Sequence, residues 1–238
     1  MLRSVGFDVR RCAPSDRGID PFYDMQHFLR GVPSPLILDV GANVGQSVDR
    51  FKHVFPDSFI HSFEPSPATY TILEQHCNRI GGVKTWNYGV GSSAGALPLL
   101  ENSESDLSSF LAPGSYCWGE VTRTTNVEVV TLDAFAQAQS LGFIHVLKSD
   151  TQGFDFEVLK GAERLMNEDQ IGLIYFELIV SDQYERLPPF TEVLSFLLQH
   201  NFQLVAFYEP FFQDNLLSWM DALFINADYR RRANGAPA

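Results

Sequence analysis

The 238-residue sequence predicts an α/β fold, with a mostly parallel sheet, helices on both faces and an antiparallel hairpin at one edge. Short apolar runs alternate with helical stretches of about 10 to 14 residues, which is typical of parallel strands joined by right-handed crossovers. The first run enters a glycine turn, LILDVGANVGQS at Leu36–Ser47. The last two runs have no helix between them, which predicts antiparallel pairing. Length and a 45% apolar fraction fit one domain.

The first 34 residues predict a helical cap packed on this domain. Apolar residues recur at helical spacing within Pro21–Arg30. Pro33 then ends the helix, because a residue before proline is pushed out of the helical region. We expect the main domain to span residues 35–228, and residues 229–238 to form a tail.

In the first half of the domain the sequence predicts three strands and two helices. The strands are Leu36–Val40, Phe59–Phe63 and Val83–Tyr88, and the helices are Gln46–Phe55 and Pro67–Ile80. This order predicts two successive parallel βαβ units.

The alternation stops between Gly91 and Asn126, where the sequence is polar and rich in serine. A long loop inside a compact domain is usually functional or disordered. Residues 101–126 are therefore interpreted either as a substrate lid or as a mobile surface insertion, and the sequence favours neither.

The second half returns to the same pattern. Its predicted strands are Val127–Val130, Phe143–Ser149, Ile171–Phe176, Gln203–Tyr208 and Ala222–Asn226. Helices are predicted to begin at Leu132, Gly153 and Phe190, and the second of these is predicted to be unbroken through Met166.

The formal net charge of −12 argues against nucleic acid or an anionic membrane as a partner, because the long-range field repels phosphates. The one basic cluster, Arg230–Arg232, is interpreted as a solvated tail. Cys12, Cys77 and Cys117 are widely spaced, which argues against a disulfide framework or a structural zinc site and fits a reducing cytoplasm. No window approaches the run of about 18 apolar residues that a membrane span needs. We therefore expect a soluble, cytoplasmic protein, whose oligomeric state the sequence leaves open.

Four predicted strands have an acidic residue at or directly after their carboxyl end: Asp39, Glu64, Asp150 and Glu177. Ligands of an open parallel sheet bind outside the carboxyl ends of its strands. Four acids at that edge repel one another unless a cation or a hydrogen-bond donor offsets the repulsion. Glu64 lies 23 residues after Gly41, where an acid accepts hydrogen bonds from ribose hydroxyls.

The glycine turn distinguishes between cofactors. A dinucleotide turn reads G-x-G-x-x-G, whereas Gly41–Gly45 has Asn43 in the middle and Gln46 follows the last glycine. Asparagine tolerates left-handed backbone angles, so the turn is retained. The altered spacing and the surrounding acids disfavour a pyrophosphate. They favour a cationic cofactor that carries a ribose, and S-adenosylmethionine meets both conditions.

The segments LILDVGANVGQS, FIHSFEPSP, VVTLDAF and HVLKSDTQGFDFEVLKGA, in that order, resemble the FkbM family of S-adenosylmethionine-dependent methyltransferases. The resemblance covers roughly residues 36–226 and depends on D-V-G-A-N-x-G together with K-x-D-x-x-G-x-(acid)-x-x-(V/I)-L-x-G-A. It implies a single Rossmann-like, seven-stranded class I methyltransferase sheet. It also implies methyl transfer to a hydroxyl oxygen of a sugar or natural product.

The resemblance implies a set of cofactor-binding residues. They are Asp39, Gly41, Asn43 and Gly45 around the methionine part, Gln46 after the turn, Glu64 and Pro65 at the ribose, Gly89 and Val90 near the adenine, and Asp150.

For catalysis we expect Asp150 to bind or deprotonate the acceptor, Lys148 to orient it and Glu177 to contribute from the next strand. An equal alternative is that Lys148 only pairs with Asp155 or Glu177. Asp155 stands where the family commonly has glutamate, which leaves its role open. His145, within an apolar strand, is more often a core residue than a base.

Three alternatives remain at this point. A divalent metal ion is one, with Asp150 and Glu177 as candidate ligands, although no ligand spacing indicates it. An NAD-dependent oxidoreductase is another, although it lacks the third glycine and a Tyr-x-x-x-Lys pair. The third is a non-catalytic domain that binds S-adenosylmethionine.

The acceptor pocket is expected to be formed by the loops 101–126, 181–189 and 209–219. Five aromatic residues in two of these loops are candidates for stacking on the acceptor. They are Tyr116, Trp118, Phe211, Phe212 and Trp219.

Overall fold

A computed structural model describes residues 17–233, which form two sheets flanked by helices. The strands are β1 (Leu36–Val40), β2 (Phe59–Phe63), β3 (Val83–Trp86), β4 (Gly89–Val90), β5 (Gly95–Asn102), β6 (Val121–Val130), β7 (Ile144–Ser149), β8 (Ile171–Ile179), β9 (Phe202–Gln213) and β10 (Leu216–Asn226). The helices are α1 (Pro21–Phe28), α2 (Gln46–Val54), α3 (Pro67–Cys77), α4 (Leu132–Ala138), α5 (Asp155–Lys160), α6 (Glu163–Asn167), α7 (Phe190–Gln199) and α8 (Ala227–Ala233).

The main sheet has seven strands in the order β3-β2-β1-β7-β8-β10-β9. The first five in this order run parallel, while β10 is antiparallel to both β8 and β9. The predicted α/β class and the antiparallel edge hairpin are confirmed. Strand order reverses between β1 and β7, so a crevice opens at their carboxyl ends.

The central strands are buried on both faces, because their apolar residues alternate between two hydrophobic clusters. Leu38 and Leu147 belong to the cluster that α4, α5, α6 and α7 cover, whereas Ile37 and Val146 belong to the one that α1, α2 and α3 cover. Helices on both faces therefore hold the sheet rigidly behind the crevice.

Helix α1 begins at a cap, where Asp20 Oδ1 accepts hydrogen bonds from the N–H groups of Phe22 and Tyr23. Phe22 and Met25 are buried, and the ring of Phe22 lies 4.9 Å from that of Phe51 on α2. The helix predicted in this segment is thus present. Residues 1–16 of the predicted cap, which include Cys12, lie outside the described residues.

The predicted loop between Gly91 and Asn126 is wrong over much of its length. Strands β5 and β6 pair as an antiparallel hairpin, and β6 also pairs with β4 in a second, three-stranded sheet. Residues 121–126 (VTRTTN) are polar but contain three threonines and a valine, which suit a solvent-facing strand. Gly89 and Val90, which follow the predicted third strand, form the short β4.

The hairpin is anchored through the buried carboxylate of Glu101. This group accepts hydrogen bonds from Ser66 at the start of α3, and from Arg123 and Thr125 on β6. Burial opposes ionisation, but hydrogen bonding to Arg123 outweighs it and lowers the pKa of Glu101. The hairpin is therefore fixed beside the carboxyl ends of β2 and β3.

Three further boundaries differ from the predictions. The predicted loop at residues 209–219 is the end of a long hairpin, in which Asp214 and Asn215 form the turn with φ of 49° and 64°. The helix predicted after Gly153 is broken at Gly161, where a Cβ would meet the Gly91 carbonyl oxygen at 2.2 Å. Residues 229–233, expected in a tail, belong to α8, and 234–238 lie outside the described residues.

Candidate functional site

The glycine turn lies at the carboxyl end of β1 and is clamped by its neighbours. The N–H groups of Gly41 and Ala42 both donate to the Phe63 carbonyl oxygen at the end of β2. Gly41 and Asn43 have φ of 73° and 46°. A Cβ on Gly41 would lie 1.8 Å from the Asp150 carbonyl oxygen, so only glycine fits this position.

Lys148 lies beneath this turn and is almost fully buried, with 8% of its side chain exposed. Its Nζ donates to the Gly41 carbonyl oxygen at 3.0 Å and lies 3.4 Å from Asp39 Oδ1 and 3.6 Å from Asp150 Oδ2. Burial lowers the pKa of Lys148, but the two carboxylates outweigh it and the pKa lies above its ordinary value. The partners of Lys148 are therefore Asp39 and Asp150, and not the expected alternatives Asp155 or Glu177.

Asp39 is fully buried in the middle of this arrangement. Its Oδ2 accepts hydrogen bonds from the hydroxyls of Ser47 and Ser62, at 2.7 and 3.3 Å. Its Oδ1 has no hydrogen bond within residues 17–233 and relies on the ion pair with Lys148. Asp39 thus joins β1, α2 and β2 behind the turn and does not face either of the cavities described below.

Glu64 closes β2 and faces the turn from the other side. Its Oε2 accepts a hydrogen bond from the Asn43 N–H at 3.1 Å, and its Oε1 accepts one from the Ser66 N–H at 2.9 Å. The carbonyl oxygens of Glu64 and Pro65 both accept from Asn87 Nδ2, which fixes this corner. Burial raises the pKa of Glu64 to about 7 despite the two backbone donors.

Two cavities meet at the turn, where both are lined by Gly41, Asn43, Asp106 and Asp150. The first cavity, of about 80 Å³, lies over the ends of β2 and β4. It is lined by Glu64, Pro65, Gly89 and Val90, and by residues of a segment that we call the cover, Ser105–Phe110. Part of the segment 101–126 therefore forms a wall of this cavity.

The second cavity, of about 320 Å³, opens at the ends of β7, β8 and β10. Four acidic side chains line it, Asp106, Asp150, Glu177 and Asp221, together with two basic ones, Arg50 and Lys148. Asp221 lies directly opposite Glu177 on the paired strand, and it accepts a hydrogen bond from the Tyr175 hydroxyl. Like charges directly opposite on paired strands are destabilising, so this placement is a stability cost that the fold carries.

The two opposed acids hold protons more tightly than free carboxyls do. Burial raises the pKa of Glu177 well above its ordinary value, and the charges of Asp150, Asp155 and Asp221 raise it further. Burial likewise raises the pKa of Asp221 to about 6.

Asp155 lies in the first turn of α5, and its side chain points inward. It is buried, and its Oδ1 accepts hydrogen bonds from the Ser149 hydroxyl and the Thr151 N–H, at 2.5 and 3.1 Å. His145 lies at the start of β7, far from the carboxyl ends, where its Nδ1 accepts a hydrogen bond from the Leu36 N–H. His145 is therefore not placed to act as a base at these cavities.

Several cavity residues were missed from the sequence. Tyr175 and Asp221 lie within apolar strands. Tyr175 pairs with Lys148 in the parallel register of β7 and β8, whereas only the antiparallel register of β10 places Asp221 at this edge. Gln152, two residues after Asp150, was not considered although it falls inside the K-x-D-x-x-G motif. A polar residue inside a motif that carries chemistry is the signal that could have identified it.

The expected acceptor-pocket aromatics line neither of these two cavities. Three of them form a separate cluster, in which the ring of Trp219 stacks on Phe211 at 3.8 Å and contacts Trp118 at 5.6 Å. Phe212 is exposed, while the Tyr116 carbonyl oxygen accepts a hydrogen bond from Gln213.

Among residues 17–233, no group of three or more histidine, cysteine, aspartate or glutamate side chains is arranged to hold a metal ion. No helix in that range has both the length and the apolar character to cross a membrane.

Residues 39–204 match the model of a protein family described as the methyltransferase FkbM domain. One solved structure, the fibrillarin pre-rRNA processing protein of Methanococcus jannaschii, shares the fold with a TM-score of 0.50. Its sequence identity is 13%, and the alignment covers 82% of this chain and 67% of that one.

Three similar proteins are also named as methyltransferases. Methyltransferase sdnD of Sordaria araneosa is 30% identical over 60% of this chain, which spans 66% of that protein. The 2-O-methyltransferase NoeI of Sinorhizobium fredii is 24% identical, with 73% of this chain and 74% of that one covered. The 31-O-demethyl-FK506 methyltransferase FkbM of Streptomyces tacrolimicus is 23% identical, with 80% and 82% covered.

Proposed function

The chain belongs to the FkbM family of methyltransferases, and from that premise we propose that it transfers a methyl group from S-adenosylmethionine to a hydroxyl of an uncharged small molecule, such as a sugar or natural product. The observation that carries this proposal is the junction of the two cavities at Gly41 and Asp150. One cavity suits a ribose-bearing cofactor, and the other presents carboxylates to an acceptor.

The residues at the first cavity fit the cofactor. Gly41 lines both cavities, and Glu64 is the acid that would accept hydrogen bonds from the ribose. Gly89 and Val90 would lie beside the adenine. The present volume of this cavity is small, so the cover would move to admit the nucleoside.

The methionine part would lie along Gly41, Asn43 and Gln46 in the second cavity. When bound, the cofactor supplies a methyl group that a positively charged sulfur activates. The carboxylates around this cavity complement a sulfonium and an ammonium group, and they would repel the pyrophosphate of a dinucleotide. This charge distribution favours a methyltransferase over an NAD-dependent oxidoreductase.

Asp150 is the residue that we propose as the proton acceptor for the acceptor hydroxyl. It lines both cavities and its side chain is 43% exposed, so it can reach a ligand. Glu177 and Asp221 would hold neighbouring hydroxyls of the acceptor. Lys148 has its donors directed to the turn and its carboxylates, which indicates an orienting role behind the site.

The second cavity predicts discrimination against anions, because its acids outnumber its two cations. Both cations are already ion-paired, Arg50 with Asp20 and Lys148 with Asp39 and Asp150. The names of two relatives specify oxygen as the methylated atom, which supports a hydroxyl acceptor.

The test is methyl transfer from labelled S-adenosylmethionine to a panel of sugars, natural-product alcohols and their phosphorylated forms. We expect a labelled neutral product, and we expect Asp150→Ala to bind the cofactor while losing turnover by about 100-fold. The exposed Asp57→Ala serves as the matched control. Calorimetry with S-adenosylmethionine and NADH distinguishes a methyltransferase from an NAD-dependent oxidoreductase by which cofactor binds. If neither binds, the proposal is wrong.

A further inference from the structure

Gln152 makes three side-chain hydrogen bonds at the junction of the two cavities. Its Nε2 donates to Asp150 Oδ1 at 3.1 Å and to Glu177 Oε2 at 3.3 Å. Its Oε1 accepts from the Tyr184 hydroxyl at 2.9 Å. Because both amide protons and the amide oxygen are used, the network fixes which way the amide points.

The backbone of Gln152 is also held, and by the cover. Gln152 has a left-handed φ of 54°, and its carbonyl oxygen accepts a hydrogen bond from the Ser109 hydroxyl at 2.7 Å. The Tyr184 hydroxyl lies 3.3 Å from the Leu107 carbonyl oxygen, so it contacts the cover as well. Gln152 thus connects the cover over the first cavity with two carboxylates of the second.

We propose that Gln152 is a positioning residue, which holds Asp150 and Glu177 side by side at the acceptor end of the site and, through Tyr184 and Ser109, ties them to the cover. This inference rests on the proposed function, because it assigns those carboxylates to the acceptor. A neutral amide suits this role, because its NH₂ group carries two donors and can serve both acids without adding a charge.

Other charged groups also face this pair. Lys148 lies against Asp150 from β7, while Asp155 on α5 and Asp221 on β10 add negative charge around Glu177. Lys148 forms an ion pair with Asp150 and not with Glu177. Among these partners, Gln152 is therefore the one that donates to both carboxylates at once. Removing its amide should therefore make the ionised form of the pair less favourable.

The test is a carbon-13 NMR titration of the side-chain carboxyls in the full chain, for the wild type, Gln152→Met and Gln137→Met. Glu177→Gln assigns the Glu177 signal. In Gln152→Met we expect the carboxyl titration of Glu177 to move upward by about one pH unit, the size of a lost hydrogen bond to a charged group. Gln137 is exposed on α4, so its replacement should leave the curve unchanged. Superimposable curves for Gln152→Met and the wild type would overturn the proposal.

A second variant covers the case in which Gln152→Met does not fold. Gln152→Asn keeps the amide but is one methylene shorter and cannot span both acids, so it should give the same upward shift. Tyr184→Phe should shift the curve in the same direction and add little to Gln152→Met, because the two act through one network. Fully additive shifts would contradict the link to the cover.

Catalysis gives an independent readout. The acidic limb of the methyl-transfer pH profile should move upward in Gln152→Met together with the NMR titration. An unmoved profile alongside normal turnover would refute the positioning role and leave the proposed function standing. Failure of the wild type to transfer a methyl group to any hydroxyl would count against the proposed function, while the NMR titration would still decide the hydrogen-bonding role.

Discussion

Replacing Lys148 by methionine tests whether this residue organises the glycine turn or acts only on the acceptor. Methionine keeps much of the apolar stem but removes the ammonium group that lies 3.4 Å from the fully buried Asp39. Breaking a buried ion pair by removing one partner costs about 3–5 kcal/mol, because it leaves an uncompensated charge. Asp150 should add little to this cost, since its side chain is 43% exposed and water can replace the lysine there.

The assay is urea unfolding at pH 7 for Lys148→Met, Asp39→Asn and the double variant. We expect the double variant to recover most of the loss, because asparagine leaves no buried charge and can still bond Ser47 and Ser62. Lys160→Met is the matched control: its ion pair with Glu157 is about one-third exposed, so its loss should cost below about 1 kcal/mol. A loss of less than about 1 kcal/mol in Lys148→Met, together with loss of turnover, would refute the organising role and favour direct action on the acceptor.

The remaining predictions concern the cofactor, pH and metal ions. Gly41→Ala should abolish binding of S-adenosylmethionine in calorimetry, because its Cβ would lie 1.8 Å from the Asp150 carbonyl oxygen; Gly31→Ala, with a similar φ of 83° but nothing within 4 Å, should retain it. Burial raises the pKa of Glu64 to about 7, so the folded protein keeps a proton that the unfolded chain releases near pH 4.5. The free energy of unfolding of the cofactor-free protein should therefore fall by about 3 kcal/mol as pH rises from about 4.5 to about 7. The melting temperature should fall with it, and Glu64→Gln should reduce that fall. Turnover that survives treatment with EDTA is expected, and a loss that Mg²⁺ or Mn²⁺ restores would instead support the metal-dependent alternative.

The parallel core could be predicted from sequence because its strands are short apolar runs with sharp ends. Leu36–Val40 and Phe59–Phe63 were predicted with the bounds that the structure has, and so was the start of α2. Exposed strands carry no such signal, since the first half of β6 is polar and lies mostly at the surface. The hairpin that supplies the cover was therefore interpreted as a loop.

Some residues of the candidate site could likewise be predicted from local sequence pattern, and others could not. Residues at strand ends, such as Asp150 and Glu177, are found by local pattern, because a parallel sheet brings its carboxyl ends together wherever the chain runs. Asp221 comes to this edge from an antiparallel strand, so only the register with β8 shows that it opposes Glu177. The placement of the Gln152 side chain depends on a left-handed backbone angle, which its residue type does not predict.

Within residues 17–233, some acidic groups of the site have a cationic ion-pair partner and others have none, and this difference indicates the charge of the ligand. Among the residues described, Lys148 is the cation that contacts Asp39 and Asp150, and its charge does not offset the effect of burial on Glu64 and Glu177. Glu64 and Glu177 instead hold their protons more tightly, at a cost that falls on the folded protein as pH rises. A cationic ligand at the turn would reverse that balance, because it favours the ionised acids that burial disfavours. The same carboxyl groups that destabilise the cofactor-free protein near neutral pH would thus select a positively charged cofactor.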